Sequence, residues 1–197
     1  ASVVVVYPDG RSEEVTLDSE GKAVLPFVAV DDVHKTLTIE SVTWLGTTIT
    51  LTNNEAAIEA SGPVTFYAAN VYTLTVSVVG SQGQPLDGAT VTILKNGVPV
   101  ITATAKGGVA TIELPAGTYT VQASFLGKKG ETSVTLTQNA MVEVPLDVFI
   151  VIGNQAFSVG EVVLWIVVGI IIVLVLAAII IVMTRIGRRR ITATETS

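Results

Sequence analysis

One histidine stands in this 197-residue chain, His34, with two carboxylates, Asp31 and Asp32, just ahead of it. Carboxylates beside an imidazole are the beginning of a metal site. Zinc, however, takes three or four ligands, usually several of them His or Cys, and the chain has no Cys. A solvated loop is the reading these three residues support. The stretch Asp18-Ser19-Glu20-Gly21 has a faint likeness to a calcium loop. It lacks the spacing of ligands over about 12 residues and the distal Glu that such a loop needs, and it falls where a hairpin turn is wanted. The serines have a single imidazole to draw on and no nucleophile-elbow motif, so a hydrolytic triad has no support. Glycine-rich phosphate loops are absent, and thiol, haem, copper and iron–sulfur chemistry fail for want of Cys and His. The expectation is a chain with no catalytic residue, no metal, no cofactor and no small-molecule substrate.

Charge excludes a further class. Residues 1–161 hold 7 Lys/Arg against 16 Asp/Glu, a net of −9, while residues 162–197 hold 4 against 1, a net of +3; together these give the overall −6. An acidic body argues against nucleic acid as a partner and serves to keep a surface domain soluble. The absence of Asn-x-Ser/Thr sequons removes N-glycosylation by the usual rule.

The basic end adjoins the strongest signal in the chain. Residues 162–183 are 22 uncharged residues, 17 of them Val, Ile or Leu. As a helix this run reaches ~33 Å, against a hydrocarbon core of ~30 Å, and insertion scales favour it in the membrane by roughly 5–10 kcal/mol. Soluble helices seldom stay apolar on every face for six turns. Ser158 and Glu161 have the S-x-x-E spacing of a helix-capping box, and Trp165 sits where an interfacial aromatic is favoured. Beyond the run, Arg185, Arg188, Arg189 and Arg190 cluster at the membrane edge. Positive charge stays inside, so the tail is expected in the cytoplasm and the N-terminal domains outside the cell. The arginines set that topology and are placed to contact anionic lipid headgroups. No tight pair of small residues marks a helix–helix contact. The segment 149–160 between body and span is apolar for an exposed linker, which suggests that it packs against something.

The body reads as β-structure built on a repeat. Short runs such as TLTVSVV, TVTIL, TIEL, TYTVQASF and TSVTLT alternate β-branched and polar residues between Gly, Pro and Asn turns. Displaced by 87 residues without gaps, segment 4–25 falls on segment 91–112, bringing Asp9-Gly10 onto Asn96-Gly97 and Gly21 and Ala23 onto Gly108 and Ala110. Further on, TLTIESVTWLG (36–46) matches TYTVQASFLG (118–127) with a shift of one residue, and each is followed by a Thr-rich strand. The second copy has a strand ahead of its matching segment, in residues 72–89, for which the first copy has no counterpart. Val3, Val4, Val5, Val6 and Tyr7 are therefore expected to form the second strand of a unit whose first strand is missing, and to present an open edge for a strand from upstream chain or another molecule. No initiator Met is present, which fits a cleaved leader or a chain trimmed upstream.

Residues 71–148 resemble the carboxypeptidase regulatory-like domain, through GQPLDGATVTILKNG, GGVATIELPAGTYTVQASFLG and TSVTLTQNAMVEVPL. Gly83, Pro85, Leu86, Gly88, Ala89, Gly108, Leu114, Pro115, Gly117, Tyr119 and Val121 fill the family's turn and core pattern. Ala105 stands near where that family often has Asp. The resemblance implies a seven-stranded transthyretin-like β-sandwich, and these positions specify fold rather than chemistry. In bacterial surface relatives a Lys and an Asn form an intramolecular isopeptide bond; the strand TLTVSVV lacks the Lys, so none is expected. Tyr119 is expected at a sandwich edge with its hydroxyl in water.

The fold class that follows is all-β: two tandem Ig-like, transthyretin-like sandwiches, the first lacking its first strand, then a single C-terminal transmembrane helix. Residues 1–70 form the incomplete repeat, 71–148 the complete one, 149–160 a juxtamembrane linker, 161–184 the span and 185–197 the basic tail. The function expected is structural: a stalk or anchor of a surface layer or filament, its partners membrane lipid and a protein or second copy joined through the open first sandwich. Similar repeats with C-terminal spans occur in archaeal envelope proteins. An accessory subunit of a larger membrane complex is the alternative. A sugar- or peptide-binding module would need exposed aromatics converging on a loop; Trp44, Phe66, Tyr67 and Phe125 lie in alternating strands, where packing into the core is expected instead.

Overall fold

The computed structural model describes residues 1–25, 36–57 and 63–192, the last eight of them as backbone. His34, Asp31 and Asp32 lie outside the described residues, as do the side chains of the four arginines. Two compact units are present, Ala1–Leu146 and Asp147–Ser197.

The complete sandwich fills the second half of the first unit. Its strands are β6 (Val71–Val79), β7 (Thr90–Lys95), β8 (Val98–Thr104), β9 (Val109–Pro115), β10 (Gly117–Phe125), β11 (Lys128–Leu136) and β12 (Ala140–Pro145). They form a four-stranded sheet in the order β11-β10-β7-β8 and a three-stranded sheet in the order β12-β6-β9, with β12 parallel to β6 and the other pairs antiparallel. Alternation turns one set of side chains inward from each strand. Leu74, Val76 and Val78 of β6 and Val91, Ile93, Tyr119 and Val121 of the other sheet are all essentially without solvent contact. Each such aliphatic side chain contributes about 1.5–3 kcal/mol on burial.

The first repeat builds the same four-stranded sheet. Its strands β1 (Ser2–Val6), β2 (Ser12–Thr16), β3 (Thr36–Trp44) and β4 (Thr47–Ile49) run in the order β2-β1-β3-β4, the order of β8-β7-β10-β11, and a short β5 (Glu55–Ala57) adds to β3. Val3, Val5, Tyr7, Leu37 and Ile39 form its buried core, with Leu25 and Phe66 among the half-buried residues packed on it. Among the described residues no hydrogen-bonded sheet corresponds to β12-β6-β9.

Two corrections to the sequence reading follow from the registers. Val5 lies opposite Ile39 as Ile93 lies opposite Val121, so β1 matches β7 one residue away from the gapless alignment. Pro8, an added residue in a longer hairpin loop, restores the match at Asp9-Gly10. Since a slip of one residue exchanges the two faces of a strand, this difference decides which valines are core. The second correction concerns the open edge at residues 3–7. Strand β1 is central, paired with β2 on one side and β3 on the other. In the complete sandwich the strand ahead of β7 is β6, which belongs to the opposite sheet, and among the described residues the first repeat has no counterpart of it. A strand of that kind would lie across the core from β1, and not beside it. A bulge that skips Glu40, between the pairs Val5–Ile39 and Val4–Ser41, accounts for the one-residue shift between the TLTIESVTWLG and TYTVQASFLG motifs.

Both repeats close the β3–β4 and β10–β11 hairpins with Leu-Gly. Leu45 and Leu126 have φ of 50° and 46°, followed by Gly46 and Gly127 at 67° and 85°. These are two-residue turns with both central residues left-handed, a geometry that suits Asn-Gly and costs a leucine about 1–2 kcal/mol. Leu126→Asn is accordingly expected to stabilise the chain by ~0.5–1 kcal/mol, read as a rise in melting temperature; an unchanged or lower value would mean that the leucine side chain contributes packing of equal size.

Candidate anchor and inter-repeat junction

The second unit begins with a hairpin, β13 (Ile150–Ile152) paired with β14 (Gln155–Phe157), inside the segment read as a plain linker. Helix α1 (Val159–Thr192) follows after one residue. That residue, Ser158, is the N-cap. Its amide donates to Glu161 Oε2 at 2.6 Å, while the Glu161 amide donates to Ser158 Oγ at 3.3 Å. The reciprocal pair satisfies two of the helix's otherwise unpartnered amides, and the carboxylate lies at the positive end of the helix dipole. From Val159 to Thr184 the apolar part of the helix is 26 residues long; its most apolar 18-residue window has a mean hydropathy of 3.6, and none of that window is buried in protein. An apolar surface of this extent on all sides of a helix is stable in lipid and not in water. At its far end Thr184 returns its hydroxyl to the Ile181 carbonyl, 2.9 Å away, and the helical backbone continues through Arg185, Arg188, Arg189 and Arg190.

Within the first unit, two side chains that the sequence did not point to tie the repeats together. Asn70, just before β6, accepts from the Thr50 amide at 2.8 Å and donates through Nδ2 to the Thr48 carbonyl at 3.1 Å. Its amide group thus behaves as a short piece of strand laid along the end of β4. The Asn70 carbonyl meanwhile accepts from Ala116 in the second repeat, at 2.8 Å. Lys95, at the end of β7, donates from Nζ to the Leu45 carbonyl at 2.7 Å and to Thr47 Oγ1, both in the first repeat's hairpin, with the ammonium over the Tyr119 ring at 5.9 Å. These bonds explain why residues expected to form separate domains 1–70 and 71–148 fall in one compact unit. Asn70→Ala is expected to cost about 1 kcal/mol and to speed amide exchange at Thr50, because that backbone group loses its partner. An unchanged exchange rate at Thr50 would remove Asn70 from this role.

The residues considered for chemistry stand as follows. Asp18 Oδ1 accepts from the amides of Glu20 and Lys22, at 2.8 and 2.9 Å, and those backbone bonds hold its carboxyl below the usual Asp range. The loop is the hairpin turn, its carboxylate turned to the chain itself. Among the described residues no group of three His, Asp or Glu side chains is placed to hold a metal ion. The aromatics do not converge. Trp44 and Phe125 occupy equivalent half-buried positions before the Leu-Gly turns, Phe66 packs on the first core, and Tyr67, contrary to expectation, is 72% exposed. Tyr7 donates to Glu13 Oε2 at 2.9 Å; burial, then that hydrogen bond, raises its phenol pKa. Tyr119 departs most from expectation. Its ring is 1% exposed and its hydroxyl donates to the Pro115 carbonyl at 2.8 Å, so the group expected in water is internal. The chain's Pro115-Ala116-Gly117 turn brings the Pro115 carbonyl within reach of the hydroxyl, a return path not readable from the motif.

Comparison with known proteins decides the identity of the complete sandwich. The family model of the carboxypeptidase regulatory-like domain matches residues 73–148. Those residues are a carboxypeptidase regulatory-like domain. Domains of this kind are regulatory, non-catalytic and Ig-like, in keeping with a site built from turns and core positions. No curated protein matches the chain. Among solved structures, the Bacillus anthracis TIE protein is similar over 74% of this chain and 30% of its own length, at 19% identity and a TM-score of 0.34. The chain thus spans less than a third of that protein, and the likeness carries no argument about function.

Proposed function

We propose that this chain is a non-enzymatic, single-pass membrane protein of the cell surface, in which the regulatory-like domain and its incomplete neighbour form the membrane-proximal part of a stalk or anchor for a surface layer or filament. The observation that carries this reading is α1, whose span from Val159 to Thr184 is apolar on every side and capped at its start by Ser158 and Glu161. The arginines at 185, 188, 189 and 190 favour a cytoplasmic tail, and their guanidinium groups are suited to anionic lipid headgroups. The first repeat's second sheet is completed by a strand of the β6 kind, supplied by upstream chain or by another subunit. Support for this comes from the matched order β2-β1-β3-β4 and β8-β7-β10-β11, which leaves the role of β6 unfilled among the described residues. Main-chain ladders of this sort give strong and specific assembly.

Protease treatment of intact cells tests the topology. The β-domains should be digested from outside while an epitope fused after Ser197 stays protected; the reverse pattern would invert the orientation. Completion is tested by grafting a copy of residues 71–89 ahead of Ser2 in the full chain. Amide exchange at Leu37 and Ile39 should slow by roughly an order of magnitude, since their core would gain a hydrogen-bonded cover. Unchanged exchange would count against a missing strand.

A further inference from the structure

The hairpin β13–β14 has a composition that the span alone does not require. Ile150, Val151 and Ile152 are 44%, 41% and 64% exposed. In a two-stranded ribbon successive side chains point to opposite faces, so a ribbon packed on one partner would hide every second residue. Here both faces present aliphatic surface. Residues 148–160 carry no charge at all, between Asp147 and Glu161. The hairpin is also tethered closely: Phe157 ends β14, Ser158 is locked in the capping pair, and α1 starts at Val159.

Depth follows from helix length. About 20 residues cross the hydrocarbon core. Counted back from Arg185 at the far interface, they reach Trp165, which leaves the first turn of α1 and the hairpin at the level of the headgroups. A three-residue strand is about 10 Å long, against roughly 5–8 Å of headgroup layer on each side, so the ribbon fits the layer when it lies aslant. The layer also suits the ribbon's backbone. Each strand has an unpaired edge, which hydrocarbon does not tolerate and the hydrated interface does.

We propose that β13–β14 is a lipid-contacting element that lies in the interfacial layer of the bilayer and adjoins the span; this rests on the reading of α1 as a membrane helix. The bilayer is the occupant favoured because the apolar surface is two-sided and is joined to the apolar helix α1 through the single residue Ser158.

The absence of cysteine makes the test direct. Single cysteines at Ile152→Cys, Val151→Cys, Leu174→Cys and Val98→Cys are labelled with an environment-sensitive fluorophore in the full chain, reconstituted in vesicles of phosphatidylcholine and phosphatidylglycerol. Lipids spin-labelled near the headgroup should quench the labels at both 151 and 152, and iodide should quench them several-fold less than the label at Val98. Spin labels deep in the acyl chains should quench Leu174 best. Iodide quenching at 152 equal to that at Val98 would overturn the proposal by placing the hairpin in water. Protection from both lipid and iodide would overturn it by showing a protein cover. Failure of Leu174 to respond to lipid would sink the membrane-helix reading, and the proposal with it, whereas a quenched Leu174 with an unquenched 152 removes the hairpin alone.

Discussion

Tyr119→Ala lowers the unfolding free energy by ~3–5 kcal/mol, the range for removing a fully buried aromatic side chain. The ring is 1% exposed and lies close to Gly117, where an added Cβ would stand 3.5 Å from it. The hydroxyl adds a separate contribution. It donates to the Pro115 carbonyl at 2.8 Å, closing a loop of four residues across the β9–β10 turn. Tyr119→Phe keeps the ring, and with it the platform under the Lys95 ammonium, and loses only that bond; the expected cost is ~1 kcal/mol. Thermal unfolding of the detergent-solubilised chain, followed by near-ultraviolet circular dichroism, separates the two variants. If Tyr119→Phe proves as damaging as Tyr119→Ala, the hydrogen bond, and not the packing of the ring, supplies most of the stability. If neither variant shifts the transition, the buried position assigned to Tyr119 is wrong.

Gly130→Ala is the second large effect, and its cause is steric. A Cβ at this position of β11 would stand 2.4 Å from the Pro145 carbonyl oxygen and 3.5 Å from Val144 Cγ1, where β12 passes. The first obstacle is backbone, so a side-chain rotation cannot relieve it; the two strands must separate by about an ångström, at ~1–3 kcal/mol for an overpacked core. Gly97 provides the control. It has a φ of 79° with open space around its absent side chain, so Gly97→Ala should cost only the ~1–2 kcal/mol of placing a side chain on left-handed backbone. Gly130→Val should be worse than Gly130→Ala, since the larger side chain meets the same backbone. Equal costs for Ala and Val at position 130 would show that β11 and β12 move apart freely.

Several features were readable from residue order because local chemistry determines them. The apolar run, the Ser158–Glu161 spacing and the Asp-Gly and Asn-Gly turns each depend only on residues close together in sequence. The repeat and the regulatory-like motifs were readable for the same reason, since they record where turns and inward-facing residues fall. The hairpin at 150–157 escapes such a reading because two three-residue strands are too short to show an alternating pattern. Tyr67, though set in a β-like run, is exposed because no facing sheet covers it among the described residues.

What the amino-acid order determined by itself was thus the β character of the body, the doubling of the unit and the presence of an apolar segment long enough to cross a bilayer. Tertiary structure decided which neighbours residues 3–7 have. Residues 3–7 carry the hydrophobic pattern of a strand in search of neighbours, but the pattern does not say which neighbours are already present. Only tertiary pairing shows β1 flanked by β2 on one side and β3 on the other, with no open edge at residues 3–7. The same holds for Tyr119, Asn70 and Lys95. Their partners lie across a turn or in the other repeat, at separations that periodicity cannot register, and their roles exist only once the chain has brought those backbone groups within hydrogen-bonding distance.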